Sequence, residues 1–173
     1  MDIGGYALVI GGGSGIGEAC ALGFSKEGAA GVMVADINLG AAASVAKTCL
    51  AASVVPQFRV KSVHIDVTLE ESVKCATRRM VEAFGRIDYC VNSAGVSIPP
   101  ILPTASRVVL RTWYIVLTTT TSIVKIGVQK AAEIADADAA EFSRFLKVNV
   151  LGAFLVTRAV SAIMKVQEPR LAL

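Results

Sequence analysis

Polar and apolar positions along this chain fall into two alternating kinds of stretch. Tyr6 to Ile10, Gly31 to Asp36, Val60 to Val67 and Ile87 to Val91 are short apolar runs, the signature of strands buried in a sheet. Between them the apolar residues recur at three- and four-residue spacing. Ile16, Ala19, Cys20 and Phe24 share one face of a helix predicted from about Ser14 to Lys26, stopping near Gly28. An alanine-rich helix is predicted from Leu39 to Ala52. Val73, Ala76, Met80 and Phe84 mark a third helix that ends at Gly85, with Thr68 and Glu71 as its capping box. The pattern breaks over residues 96–130, where Pro99, Pro100 and Pro103 precede a run rich in Val, Ile and Thr. That composition favours strands and predicts an extra hairpin over the cleft of the fold. Regular spacing resumes near Ala131: Asp138 and Glu141 cap a helix through Phe142, Phe145, Leu146 and Asn149 to about Met164.

Alternation of strand and helix implies right-handed crossovers and a parallel sheet. The first strand runs directly into Gly11-Gly12-Gly13-Ser14-Gly15-Ile16-Gly17, and the next helix starts there. A strand, a glycine turn and a helix N-terminus gather free backbone N–H groups and the positive end of a helix dipole at one point, which suits a pyrophosphate. A Cβ in the turn would hold the phosphate away from the backbone. The expected fold class is therefore α/β: a Rossmann-type doubly wound parallel sheet of about four to five strands with flanking helices, incomplete, in a single dinucleotide-binding domain over residues 1–173. Asp36 ends the second strand 19 residues after Gly17. A carboxylate there can accept hydrogen bonds from the adenosine ribose hydroxyls and repels a 2′-phosphate, so NAD is expected ahead of NADP.

Composition narrows the function without naming it. The chain has 173 residues, 54% of them hydrophobic and 18% charged, enough for one well-filled core. Its net charge of +3 is spread among scattered Lys and Arg residues, which argues against a nucleic-acid face. The cysteines at 20, 49, 75 and 90 make no C-x-x-C pair, so neither a disulfide framework nor a metal site is expected. His64 is the sole histidine and is assigned no role. No basic n-region opens the chain and no stretch of 18 apolar residues is free of charge, so neither a signal peptide nor a membrane span is expected. A reducing, cytoplasmic setting follows as the expectation.

Glycines at 11, 15 and 17 give the register G-x-x-x-G-x-G. It resembles the T-G-x-x-x-G-I-G turn of the short-chain dehydrogenase/reductase family, with Ile10 where the family usually has Thr. Asn92-Ser93-Ala94-Gly95 is similar to the family's N-N-A-G motif, and Lys147-Val148-Asn149-Val150-Leu151-Gly152 resembles its V-N-x-x-G segment. The resemblance implies that Gly11, Gly13, Ser14, Gly15, Ile16 and Gly17 form the cofactor turn. It places Asp66 and Val67 against the adenine ring, and Asn92, Ala94 and Gly95 along the cofactor cleft. Asn149 matches the Asn of a proposed catalytic tetrad, holding a water that relays protons to the active-site lysine. In the family the long helix bearing this Asn also packs subunit against subunit, which implies a homo-oligomer for the complete protein.

The family's chemistry further needs a Ser and a Tyr-x-x-x-Lys. The Tyr is the general acid/base, the Lys lowers its pKa and the Ser binds the substrate oxygen. Tyr6, Tyr89 and Tyr114 are followed four residues on by Ile10, Ser93 and Thr118. The resemblance thus covers about the first two-thirds of a family member. We expect an NAD(P)-dependent oxidoreductase of alcohols or ketones whose chain, as given, is a catalytically incomplete fragment, its sheet edge left open where the next strand would pair. The alternative is a non-catalytic dinucleotide-binding remnant, a pseudoenzyme or an interaction module. Residues 96–129 suggest a retained intron. Val96-Ser97 can be encoded by a splice-donor-like GTA-AGT and Gln129 by CAG, and their removal joins Gly95 to Lys130 in a family-like sequence.

Overall fold

The computed structural model describes residues 3–96, 123–125 and 138–168, with backbone alone at 123–125. Its elements are β1 (Tyr6–Ile10), α1 (Gly15–Lys26), β2 (Gly31–Asp36), α2 (Leu39–Ala52), β3 (Arg59–His64), α3 (Glu70–Phe84), β4 (Tyr89–Asn92), β5 (Ile123–Lys125), α4 (Ala139–Leu146) and α5 (Ala153–Lys165). A π-helical segment, Lys147–Gly152, joins the last two. One continuous helix therefore runs from Ala139 to Lys165.

The strands are parallel, in the order β3-β2-β1-β4-β5. Central β1 explains the unbroken apolar run in the sequence: Ala7, Leu8, Val9 and Ile10 are all fully buried. Successive side chains enter opposite cores. Ala7, Val9, Val32 and Val34 pack with Ala21, Val45 and Cys49 beneath α1 and α2. Leu8, Ile10, Met33 and Val63 pack with Val73, Met80, Val156 and Val160 beneath α3 and α5. Burial of each such Val, Leu or Ile side chain contributes roughly 1.5–3 kcal/mol, so two filled faces, rather than helix propensity, hold the layers together. Crossovers through α1 and α2 carry the chain from β1 to β3 on one face, and α3 brings it back over the other face to β4, beside β1. The carboxyl ends of β1 and β4 thus flank the topological switch point, where such sheets bind ligands.

The predicted strands and the first three helices form within a few residues of their expected limits. Two expectations need correction. The capping box of α3 does not form, because the helix begins at Glu70 with Leu69 at its N-cap. Thr68 instead gives both its N–H and its Oγ1 hydrogen to Asp66 Oδ1, at 2.9 and 2.7 Å, and Glu71 pairs with Lys74 at 2.9 Å. The Asp66 carboxylate, two residues upstream, is a strong charged acceptor for both Thr68 donors and closes an Asx turn. The outer edge of β4 is also not open: Ile123–Lys125 pairs with it in parallel. The expected hairpin falls largely on residues 97–122 and 126–137, which lie outside the described residues. Finally, the helix Ala139–Lys165 is long and apolar enough to cross a membrane by length and composition. Its Leu155, Val156 and Val160 are instead buried against the sheet, and Arg158 pairs with Glu70 at 2.6 Å. Those contacts make α5 a core helix along that face.

Candidate functional site

The cleft opens where β1 hands over to α1. Gly11 has φ +72°, a left-handed conformation, and a Cβ on it would lie 2.5 Å from the Ala94 backbone nitrogen. Only glycine lets the turn after β1 touch the turn after β4. Ser14 is the N-cap of α1 with extended φ −161° and ψ 167°, and its hydroxyl makes no capping bond. The first bond into α1 runs from Glu18 N–H to the Ser14 carbonyl, at 3.2 Å. The N–H groups of Gly15, Ile16 and Gly17 precede it, so they are the donors that a helix start leaves to an anion. Gly17 packs on the Gly11 carbonyl so closely that a Cβ would overlap it.

Asp36 comes to the same place from the end of β2. Its Oδ2 accepts from Gly13 N–H and its Oδ1 from Asn38 N–H, both at 2.9 Å. A Cβ on Gly13 would sit 2.9 Å from Asp36 Cγ. Gly13 therefore stands behind the carboxylate and does not line the cleft. Two backbone donors orient the carboxylate, with a lone pair on each oxygen to spare.

β3 contributes Asp66 and Val67. Asp66 takes both Thr68 bonds on Oδ1 and gives its own N–H to Ser72 Oγ at 2.9 Å. From β4, Asn92 is buried and its Oδ1 accepts from Ala94 N–H at 3.2 Å, so it shapes the turn while Ser93, Ala94 and Gly95 face the cleft. The resulting cleft has a volume of about 510 Å³. Gly11, Ser14, Gly15, Ile16, Asp36, Asp66, Val67, Ala94 and Gly95 all line it, whereas Gly13, Gly17 and Asn92 support it from behind. Sequence reasoning missed Ile37, Ile65, Val96 and Val148 in its wall. Ile37 had a legible signal, since it directly follows Asp36 at a strand end and is left 67% exposed.

Asn149 lies in the π-helical segment and is 7% exposed. Its Nδ2 donates to the Val96 carbonyl at 2.8 Å and to the Phe145 carbonyl at 3.1 Å. Its Oδ1 is buried without a donor among the described residues. This acceptor lies one residue from the cleft wall at Val148. Single π turns in long helices recur at functional sites.

Reactive groups are otherwise held away from the cleft. Tyr6 stacks on Phe84 at 5.1 Å, and Tyr89 donates its hydroxyl proton to the Ile3 carbonyl. Tyr114 lies outside the described residues. Cys90 is wholly buried on β4, and burial pushes its thiol pKa up to about 12, so it offers no thiolate near neutral pH. Burial also raises Cys20 and Cys49. Among the described residues no cluster of His, Cys, Asp and Glu could hold a metal ion.

Comparison with known proteins agrees with this geometry. The family model described as short chain dehydrogenase matches residues 5–170. The short-chain dehydrogenase fogB of Aspergillus ruber is 47% identical over 171 residues, covering 99% of this chain and 52% of that protein. A (+)-borneol dehydrogenase 2 of Salvia officinalis is 32% identical over 162 residues, covering 94% of this chain and 44% of its own. The chain spans about half the length of these curated relatives. Among solved structures, an NAD+-bound xylitol dehydrogenase superposes with a TM-score of 0.67 at 27% identity, over 92% of this chain and 47% of the other. A levodione reductase superposes at 0.68 with 25% identity, over 92% and 49%.

Proposed function

The chain belongs to the short-chain dehydrogenase family, and on that premise we propose that its cleft binds NAD in preference to NADP and that the whole protein is an oxidoreductase of alcohols or ketones. The observation that carries the cofactor reading is the Asp36 carboxylate, clamped by Gly13 and Asn38 N–H groups at the rim of the glycine turn. The free first-turn N–H groups of α1 fit a pyrophosphate, Asp36 fits the ribose hydroxyls, and Asp66 with Val67 and Ile37 fits the adenine. Such a cofactor, when bound, supplies or accepts the hydride. Gly13, Gly17 and Asn92 act by holding the turns in place. Asn149 Oδ1, buried and without a donor among the described residues, suits the water that the resemblance assigns to it. Borneol dehydrogenase and xylitol dehydrogenase are themselves named for alcohols, which supports the substrate class.

Asp36→Asn tests the cofactor reading. Removing the charge should move the ratio of NADPH to NADH affinity toward NADPH by about tenfold or more. An unchanged ratio would remove Asp36 from cofactor selection.

A second reading concerns the 173-residue polypeptide itself: a dinucleotide-binding form without turnover. It is supported by the two described tyrosines, both bound up in the sheet away from the cleft, and by the absence of Lys four residues after any tyrosine of the sequence. General acid catalysis of the missing kind is typically worth ~10²–10⁴-fold. We expect no cofactor-linked absorbance change with a panel of ketones and secondary alcohols; measurable turnover by this polypeptide would contradict it. For the complete protein we place a subunit contact on the helix Ala139–Lys165, where Phe142, Leu146, Val150 and Phe154 are exposed at four-residue spacing. The proposed setting is cytoplasmic.

A further inference from the structure

Two features meet along the outer edge of β4. Ile123–Lys125 pairs there in parallel, with Cys90 opposite Ile123, Val91 opposite Val124 and Asn92 opposite Lys125. Below that short ladder, the Gln167 side chain binds Ile87 as a strand would. Ile87 N–H donates to Gln167 Oε1 at 2.7 Å, and Gln167 Nε2 donates to the Ile87 carbonyl at 2.9 Å. The next residue, Asp88, turns its N–H the other way, to the Tyr6 carbonyl beside β1. Gln167 thus covers the side of Ile87 that faces away from β1.

Handedness says what would otherwise lie there. α3 carries the chain over one face of the sheet from β3 to β4, moving past β2 and β1. α5 lies on that same face and ends at Lys165, and Gln167 just after it sits beside the start of β4. A right-handed crossover on this face continues in the same direction, so polypeptide following α5 would add its strand to the outer edge of β4. Ile123–Lys125 already holds that edge.

We infer that Ile123–Lys125 seals the β4 edge, so that a further parallel strand, from later polypeptide or from a second copy, can pair with β4 only when β5 has left it. The two pairings use the same backbone groups of Cys90 to Asn92 and exclude each other. Ile123–Lys125 therefore takes the place on β4 that a further strand would need. This inference does not depend on what the cleft binds.

Hydrogen exchange on the intact 173-residue chain tests it, without any ligand. The amides of Ile123–Lys125 and of Tyr89–Asn92 should exchange on a common slow timescale, at least about tenfold below the unprotected rate. Exchange of 123–125 at the unprotected rate overturns the inference. A variant lacking residues 96–129 gives a second reading. The β4 amides that face β5 should then exchange at least about tenfold faster while those that face β1, and Leu8 to Ile10, stay protected, and light scattering should show association through the freed edge. Equal protection of the β5-facing amides in the two proteins also overturns it.

Discussion

Asp36 and Gly13 form a hydrogen-bonded unit at the rim of the cleft. The carboxylate is useful because two N–H groups hold it, and one of them belongs to a glycine whose missing Cβ leaves room for it. Gly13→Ala should push the carboxylate aside, since the new Cβ would meet Asp36 Cγ at 2.9 Å and the Ala41 Cβ at 3.0 Å. We expect a loss of about 1–3 kcal/mol in denaturant unfolding, together with a smaller NADH preference. That Asp36 lines the cleft was legible in the sequence from its place at a strand end. The role of Gly13 was not, because its reason is a contact with a residue 23 positions away. Cys90 gives a pH test at the same scale. Its folded pKa, about 12, lies above the ordinary thiol value of 9.0, so the folded state favours the neutral thiol. The resulting contribution is fully present below pH 9 and is lost as the unfolded thiolate forms between pH 9 and 12. Stability should therefore fall over that window, and Cys90→Ala should flatten the fall; an identical pH profile for the variant would contradict the burial argument.

Among the elements, the long helix departs most from regular form. Its π-helical segment lets Asn149 reach the Val96 and Phe145 carbonyls from inside the helix. Asn149→Ala leaves both carbonyls without that donor and should cost about 1–3 kcal/mol, read as a lower denaturant midpoint. Spacing of Phe142, Phe145, Leu146 and Asn149 was enough to predict a helix here, but periodicity carries no sign of a π turn, which changes only the ladder. The start of α3 shows the opposite failure. Thr68 and Glu71 have the right spacing for a cap, yet Asp66 lies nearer and wins the threonine. β5 was beyond reach in another way: three residues show no period, and their partner strand lies 33 residues upstream.

For the whole molecule, the parallel sheet followed from the alternation of elements, while the state of the sheet edge did not. Gln167 reports that edge from the far end of the fold. Gln167→Ala removes both bonds to Ile87 and should lower stability by about 1–2 kcal/mol without changing cofactor selectivity, because Ile87 lies at the opposite end of β4 from the cleft. The switch point between β1 and β4 accounts for why the glycine turn, Asp36, Asp66 and the Asn92 turn converge although they are spread over more than 80 residues. Their convergence as a dinucleotide site is tested most directly by calorimetric titration of the folded 173-residue chain with NADH and with NADPH. Saturable, weak binding of NADH with weaker binding of NADPH is the predicted result; tighter binding of NADPH, or no binding of either by chain shown to be folded, would contradict it.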